Sequence, residues 1–119
     1  MDHYRYGRKK EYQVAATIKR KFGFQKVEIS PGSRGEYDIL AQSGRKKWMI
    51  QVKSTRDVDI SPSRLKKEDE IKLKRVAKKT NAKPIVALVS RNQVHIENLD
   101  DGKVHLHDKL HKLRKNSLY

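Results

Sequence analysis

Gly35-Glu36-Tyr37-Asp38-Ile39-Leu40-Ala41-Gln42-Ser43-Gly44-Arg45-Lys46-Lys47-Trp48-Met49-Ile50-Gln51-Val52-Lys53 is the stretch whose reading decides the fold. It holds two short apolar runs around a Ser43-Gly44 turn, which predicts a hairpin of strands over residues 37–41 and 46–54. Asp38 stands in the first run and Lys53 at the end of the second, each interrupting sequence that otherwise reads as buried. Burying either charge is costly unless it is paired or binds an ion. Side chains alternate along a strand, so Gln51 and Lys53 share one face while Ile50 and Val52 share the other. Counting outward from the turn sets Asp38 opposite Met49, on the face of Gln51 and diagonal to it, close enough for both side chains to reach one ion. A turn with an odd number of residues would break that parity. The plain alternative is a buried Asp38–Lys53 salt bridge.

Outward from the hairpin, Glu11, Ala15, Ile18 and Phe22 recur at helical spacing with Val14 beside them, which predicts a helix over residues 8–22 closed by Gly23. Residues 1–7 read as a loose arm. Residues 26–29 form a short strand, and Ser30-Pro31-Gly32-Ser33-Arg34-Gly35 is a loop dense in turn formers. After a polar connection, a second helix spans residues 64–80, with Leu65, Ile71 or Leu73, Val76 and Ala77 inward and Ser61 or Ser63 as its cap. Asn81 and Pro84 stop it. Pro84-Ile85-Val86-Ala87-Leu88-Val89 is apolar throughout, the mark of a strand buried on both faces, and Val94-His95-Ile96 is a short partner. From Lys103 the tail sets Leu106, Leu110 and Leu113 among basic residues, which predicts a short amphipathic helix in a basic extension over residues 103–119. The sum is one α/β domain over residues 1–119, an αβββαβ core with a mixed central sheet flanked by helices.

Composition narrows the partner. Lys and Arg number 29 against 14 Asp and Glu, a net charge of +15 spread along the whole chain. A field of that sign favours a polyanion, of which nucleic acid is the commonest. No apolar run approaches the roughly 20 residues needed to span a bilayer, and no signal peptide opens the chain. Without cysteine there is no disulfide framework and no thiolate metal site. The expected setting is cytoplasmic and nucleoid-associated, with DNA as partner and no membrane.

Mg²⁺ takes oxygen ligands, often one or two carboxylates with waters and substrate phosphate. Asp38, the Gln51 side-chain oxygen, a backbone carbonyl near Val52 and Glu11 would make such a shell, with Mn²⁺ as substitute. Lys53 would orient or deprotonate an attacking water, or offset charge on the transition state. Ser54, Thr55 and Arg56 follow directly and can donate to phosphate; with Arg8, Lys9, Lys10 and Arg34 they are the expected DNA contacts. The lysines of the second helix suit backbone contacts or simply a solvated face. Glu36 reads as a spare acid or a solvated loop residue. His105, His107 and His111 read as a metal cluster or as ordinary surface histidines.

Taken in order, Gly7-x-x-x-Glu11, Gly32-Ser33, Asp38 and Gln51-Val52-Lys53-Ser54-Thr55 resemble the PD-(D/E)XK nuclease superfamily, and within it most of all the archaeal Holliday junction resolvases. The likeness runs from residue 7 to about residue 96. It implies a restriction-endonuclease-like core and a Mg²⁺-dependent homodimer that nicks four-way DNA junctions in pairs. Glu11 then maps to the helix carboxylate, Asp38 to the metal aspartate, Lys53 to the catalytic lysine, and Ser33 to a loop serine near the scissile phosphate. Gln51 departs from the pattern, because the resolvases normally carry a metal-binding Glu there. Some members of the superfamily carry Gln at this place and are active. A weak or inactive junction-binding relative and a restriction- or transposition-type nuclease stand as the alternative readings.

Overall fold

β3 (Lys46–Ser54) is the strand from which the rest of the sheet is built. Its apolar residues fall on both faces, so it is satisfied only when something covers each side. β2 (Ile39–Ser43) returns against it through the two residues Gly44-Arg45, with Ser43 across from Lys46 and Ile39 across from Ile50. Gly44 has a φ of 59° and Arg45 keeps a negative one, the pattern of a type II′ turn, whose first central position favours glycine. The structure, a computed structural model, describes residues 3–30, 36–54, 65–90 and 93–109.

β1 (Lys26–Ile29) pairs antiparallel with β2, and β4 (Lys83–Val89) pairs parallel with β3. β5 (Gln93–Asn98) and β6 (Val104–Lys109) continue antiparallel, so the sheet order is β1-β2-β3-β4-β5-β6. The parallel pair demands a crossover, and α2 (Lys67–Lys79) lies within it. α1 (His3–Phe22) sets Val14 and Ile18 on one face of the sheet, against Ile39, Ala41, Trp48, Ile50, Ile85, Ala87 and Val94. α2 covers the other face, where Leu73 and Ala77 meet Met49 and Leu40. β4 lies between the two layers, and every residue from Pro84 to Val89 is buried. Pro84 is tolerated in this inner strand because it lies at the end of the β5 ladder, where its carbonyl accepts from Leu99 N–H. α2 ends in a Schellman arrangement, with Ala82 N–H donating to Ala77, Asn81 N–H donating to Lys78, and Asn81 at a φ of 59°.

Four expectations change. α1 begins at His3, within the stretch read as a loose arm, since one glycine inside a helix costs only about 1 kcal/mol and does not end it. Its inward stripe is Lys10, Val14, Thr17 and Ile18, all buried, one position round from the Glu11 stripe; Glu11 and Ala15 are only half-buried. α2 starts at Lys67, with Lys66 as an N-cap that makes no side-chain cap bond; Ser61 and Ser63 lie outside the described residues. Ile71 is exposed and Leu73 is the buried one. The start of the tail is β6, not a helix. The leucine spacing over residues 106–113 suits a helix, but the free edge of β5 pairs with residues 104–109, and the hydrogen bonds of that ladder outweigh a weak local period.

β6 carries a bulge. Leu106 faces Ile96 and Val104 faces Glu97, so His105 is the extra residue, and its ring turns onto Trp48 at 4.6 Å and Phe22 at 6.1 Å. Nε2 of His105 is buried with no hydrogen-bond partner among the described residues. Burial, then Lys103, Lys46 and Lys83, hold this imidazole below its ordinary pKa of 6.5, with only Asp101 pulling the other way. The unfolded chain therefore takes the proton first as pH falls. His105 adds no penalty above its unfolded pKa, and stability is lost as pH drops from about 6.5 toward the folded value. His105→Phe is expected to remove that part of the acid-side loss, read as a smaller difference between urea midpoints at about pH 7.5 and about pH 5.

Candidate active site

The hairpin register refines the expected geometry. Leu40 lies opposite Met49 and Ile39 opposite Ile50, and there the regular ladder ends, so Asp38 is not paired with Met49 as expected. Asp38 lies just before β2, where its N–H donates to Ile50 O and its own carbonyl accepts from Ser30 N–H. Its Oδ2 accepts from Val52 N–H at 2.8 Å. This bond fixes the carboxylate at the edge of β3 beyond the last β2 pair. The N–H and carbonyl of a strand residue point to the same side, so the Val52 carbonyl also opens toward Asp38.

Gln51 and Lys53 are partly exposed on the α2 face, in register with Val86 and Leu88. Lys53 Nζ forms an ion pair with Asp69 Oδ2 at 3.3 Å, a partner from the first turn of α2. No local pattern announces it, because residues 53 and 69 are joined only through the crossover. The same cross-strand row continues from Leu88 to His95 and His107. His95 Nδ1 meets His107 Nδ1 at 3.0 Å, and His95 Nε2 meets Glu97 at 2.8 Å. Two strand spacings put His95 about 10 Å from Lys53. His111 lies outside the described residues.

Glu11 is half-buried on α1, one turn before Val14, and thus comes from the helix on the opposite face. The structure therefore ties Asp38 to Val52, the residue between Gln51 and Lys53 in β3, and sets Glu11 on a separate element. Among the expected DNA contacts, Lys9 and Ser54 are exposed. Lys10 is corrected: it is 4% exposed, because it heads the inward stripe of α1 and carries its stem into the core. Arg8 falls in α1, while Ser33, Arg34, Thr55 and Arg56 lie outside the described residues. Glu36 is exposed.

Among the described residues no group of three or more His, Asp and Glu side chains converges into a ready metal cage. That agrees with a neutral Gln51. The candidate donors, the Asp38 carboxylate, the Gln51 amide oxygen and the Val52 carbonyl, are all oxygens, the chemistry that a hard cation takes together with waters and substrate phosphate. No helix among the described residues is long and apolar enough to cross a membrane.

An acid at the head of one strand and a lysine on the next, under a mixed sheet flanked by two helices, define a nuclease of the PD-(D/E)XK type. The family model for archaeal Holliday junction resolvase (Hjc) matches residues 2–118, and the chain belongs to that family. It is thus a Holliday junction resolvase-like endodeoxyribonuclease, a DNA-junction-binding enzyme of a family that depends on divalent metal. No curated protein matches it. The structure of Archaeoglobus fulgidus Hjc, a Holliday junction resolvase from an archaeal hyperthermophile, is similar, with a TM-score of 0.65 and 22% identity over 87% of this chain and 82% of that one. At that identity the likeness speaks for the fold.

Proposed function

We propose that the chain acts as a Mg²⁺-dependent homodimer that nicks four-way junctions symmetrically, with Asp38, Gln51, the Val52 carbonyl and Glu11 as metal ligands and Lys53 as the catalytic cation. The observation that carries the reading is the Asp38–Val52 bond of 2.8 Å, which holds the carboxylate against the strand that carries Gln51 and Lys53. A strand amide that fixes one carboxylate oxygen holds the group in place before metal or substrate arrives. Gln51 adds a neutral oxygen. When bound, Mg²⁺ supplies charge for the scissile phosphate and eases ionisation of an attacking water; Mn²⁺ substitutes for it.

Lys53 Nζ donates to a non-bridging phosphate oxygen and offsets charge that grows in the transition state. Ser33 acts beside the scissile phosphate. Lys9 and Ser54, with Arg8, Arg34, Thr55 and Arg56, hold the DNA backbone, which positions the junction without reading sequence. Two symmetric cuts need two sites, and one chain supplies one, so the active unit is the dimer, working at the nucleoid. The test is a labelled four-way junction with Mg²⁺ or Mn²⁺. The expected result is paired nicks near the branch point from a dimer by sedimentation; intact junction with both metals would sink the reading.

A further inference from the structure

We propose that Asp69 is a positioning residue for Lys53 and supplies the anion beside that lysine which the neutral Gln51 does not. The inference rests on the site reading above. The first turn of α2 holds three acids, Glu68, Asp69 and Glu70. Acids there are favoured by the helix dipole wherever they point. Glu68 is exposed, and Glu70 pairs along the helix with Lys74 at 3.5 Å. Asp69 differs from both. With Leu73 and Ala77 it forms an i, i+4, i+8 stripe, and those two residues are fully buried against the sheet. A carboxylate on the sheet-facing stripe meets its partner across the layer and not along the helix. Its partner is Lys53 Nζ at 3.3 Å, with the two side chains 35% and 32% exposed.

The lysine gains more from this contact than the fold does. A pair so accessible to water contributes little to stability. Lys53, by contrast, has a flexible four-carbon stem with many rotamers, and an anchor on α2 holds Nζ over the α2 face before DNA arrives. Gln51 lies two residues back on that same face and brings no charge. A carboxylate at position 51 would stand within reach of Nζ, so the anion that sets the lysine comes instead from the crossover helix. Position 51 and position 69 are then alternative sources of one charge.

The experiment is single-turnover cleavage of a labelled four-way junction with Mg²⁺ by wild type, D69N, D69E, Q51E and the Q51E/D69N double variant, with junction affinity measured without metal and thermal midpoints alongside. D69N is expected to cut about tenfold more slowly, with affinity within about twofold and an unchanged midpoint. D69E should regain most of the rate, and Q51E should speed D69N by more than it speeds wild type. D69N cutting at the wild-type rate overturns the role of Asp69 alone. So does a loss that neither D69E nor Q51E repairs, or one that tracks a fallen midpoint, because Asp69 is then only a tie between helix and sheet. Wild type that leaves the junction intact overturns the nuclease reading and the role of Asp69 with it.

Discussion

Asp38→Ala is expected to lower single-turnover junction cleavage by about 10³-fold, equal to about 4 kcal/mol of transition-state stabilisation, while junction binding without metal is kept or tightened. Two features set the size. First, the carboxylate is held by Val52 N–H at 2.8 Å, so it is already in place when substrate binds and little of its effect is spent on ordering. Second, Gln51 brings a dipole where a charge would otherwise stand, which leaves Asp38 as the anion nearest the strand edge. Removing the only carboxylate among Asp38, Gln51 and Val52 therefore takes away most of the local attraction for a cation. Binding moves the other way, since phosphates lose a repulsive neighbour and the remaining field is strongly positive.

Asp38→Asn separates the two parts of this effect. The amide keeps an oxygen that can accept from Val52 N–H but loses the charge. A rate close to that of Asp38→Ala assigns the loss to charge; a rate close to wild type assigns it to shape, and would count against a metal role for Asp38. Raising Mg²⁺ should recover part of the Asp38→Asn rate and little of the Asp38→Ala rate. Gel-shift affinity on the same junction, measured without metal, keeps binding and chemistry apart.

What the sequence disclosed follows from how far apart the interacting residues lie along the chain. The hairpin was legible because turn and alternation are local, but Asp38 lies beyond the last regular pair, Ile39 with Ile50, where alternation no longer sets its face. The unbroken apolar run to Val89 announced a strand covered on both sides, and it is. The rest depended on distant partners. Lys10 was read as a DNA contact because a lysine on a basic helix normally faces water, yet the inward stripe begins with it. Leu106 fits a helical period and a strand period equally, and only the edge of β5 decides between them. The meeting of Asp69 with Lys53 is written in the path of the crossover, which no local pattern records.

Trp48→Ala is expected to cost about 3–5 kcal/mol of stability, a large part of the total for a domain of this size. Trp48 is 1% exposed at the point where α1, the start of β1 and the bulge of β6 meet. Phe24 lies at 4.9 Å and Phe22 at 5.1 Å, His105 stacks at 4.6 Å, and Lys46 Nζ sits 5.1 Å over the indole. No single neighbour can move in to fill the space, because these partners come from separate parts of the chain, α1, the connection to β1, β3 and β6. The cavity term is thus kept in full, offset only by removal of the buried indole N–H, which has no partner among the described residues. Trp48→Phe should therefore cost much less, about 1–2 kcal/mol. Trp48 is the one tryptophan in the chain, so its emission reports wild-type unfolding and circular dichroism must carry the comparison between variants. Its side chain lies on the α1 face, opposite Gln51 and Lys53, so the folded fraction of Trp48→Ala should cut junctions at the wild-type rate in the cold and fail steeply on warming. A rate per folded molecule that fell along with stability would show that the two faces of β3 are coupled.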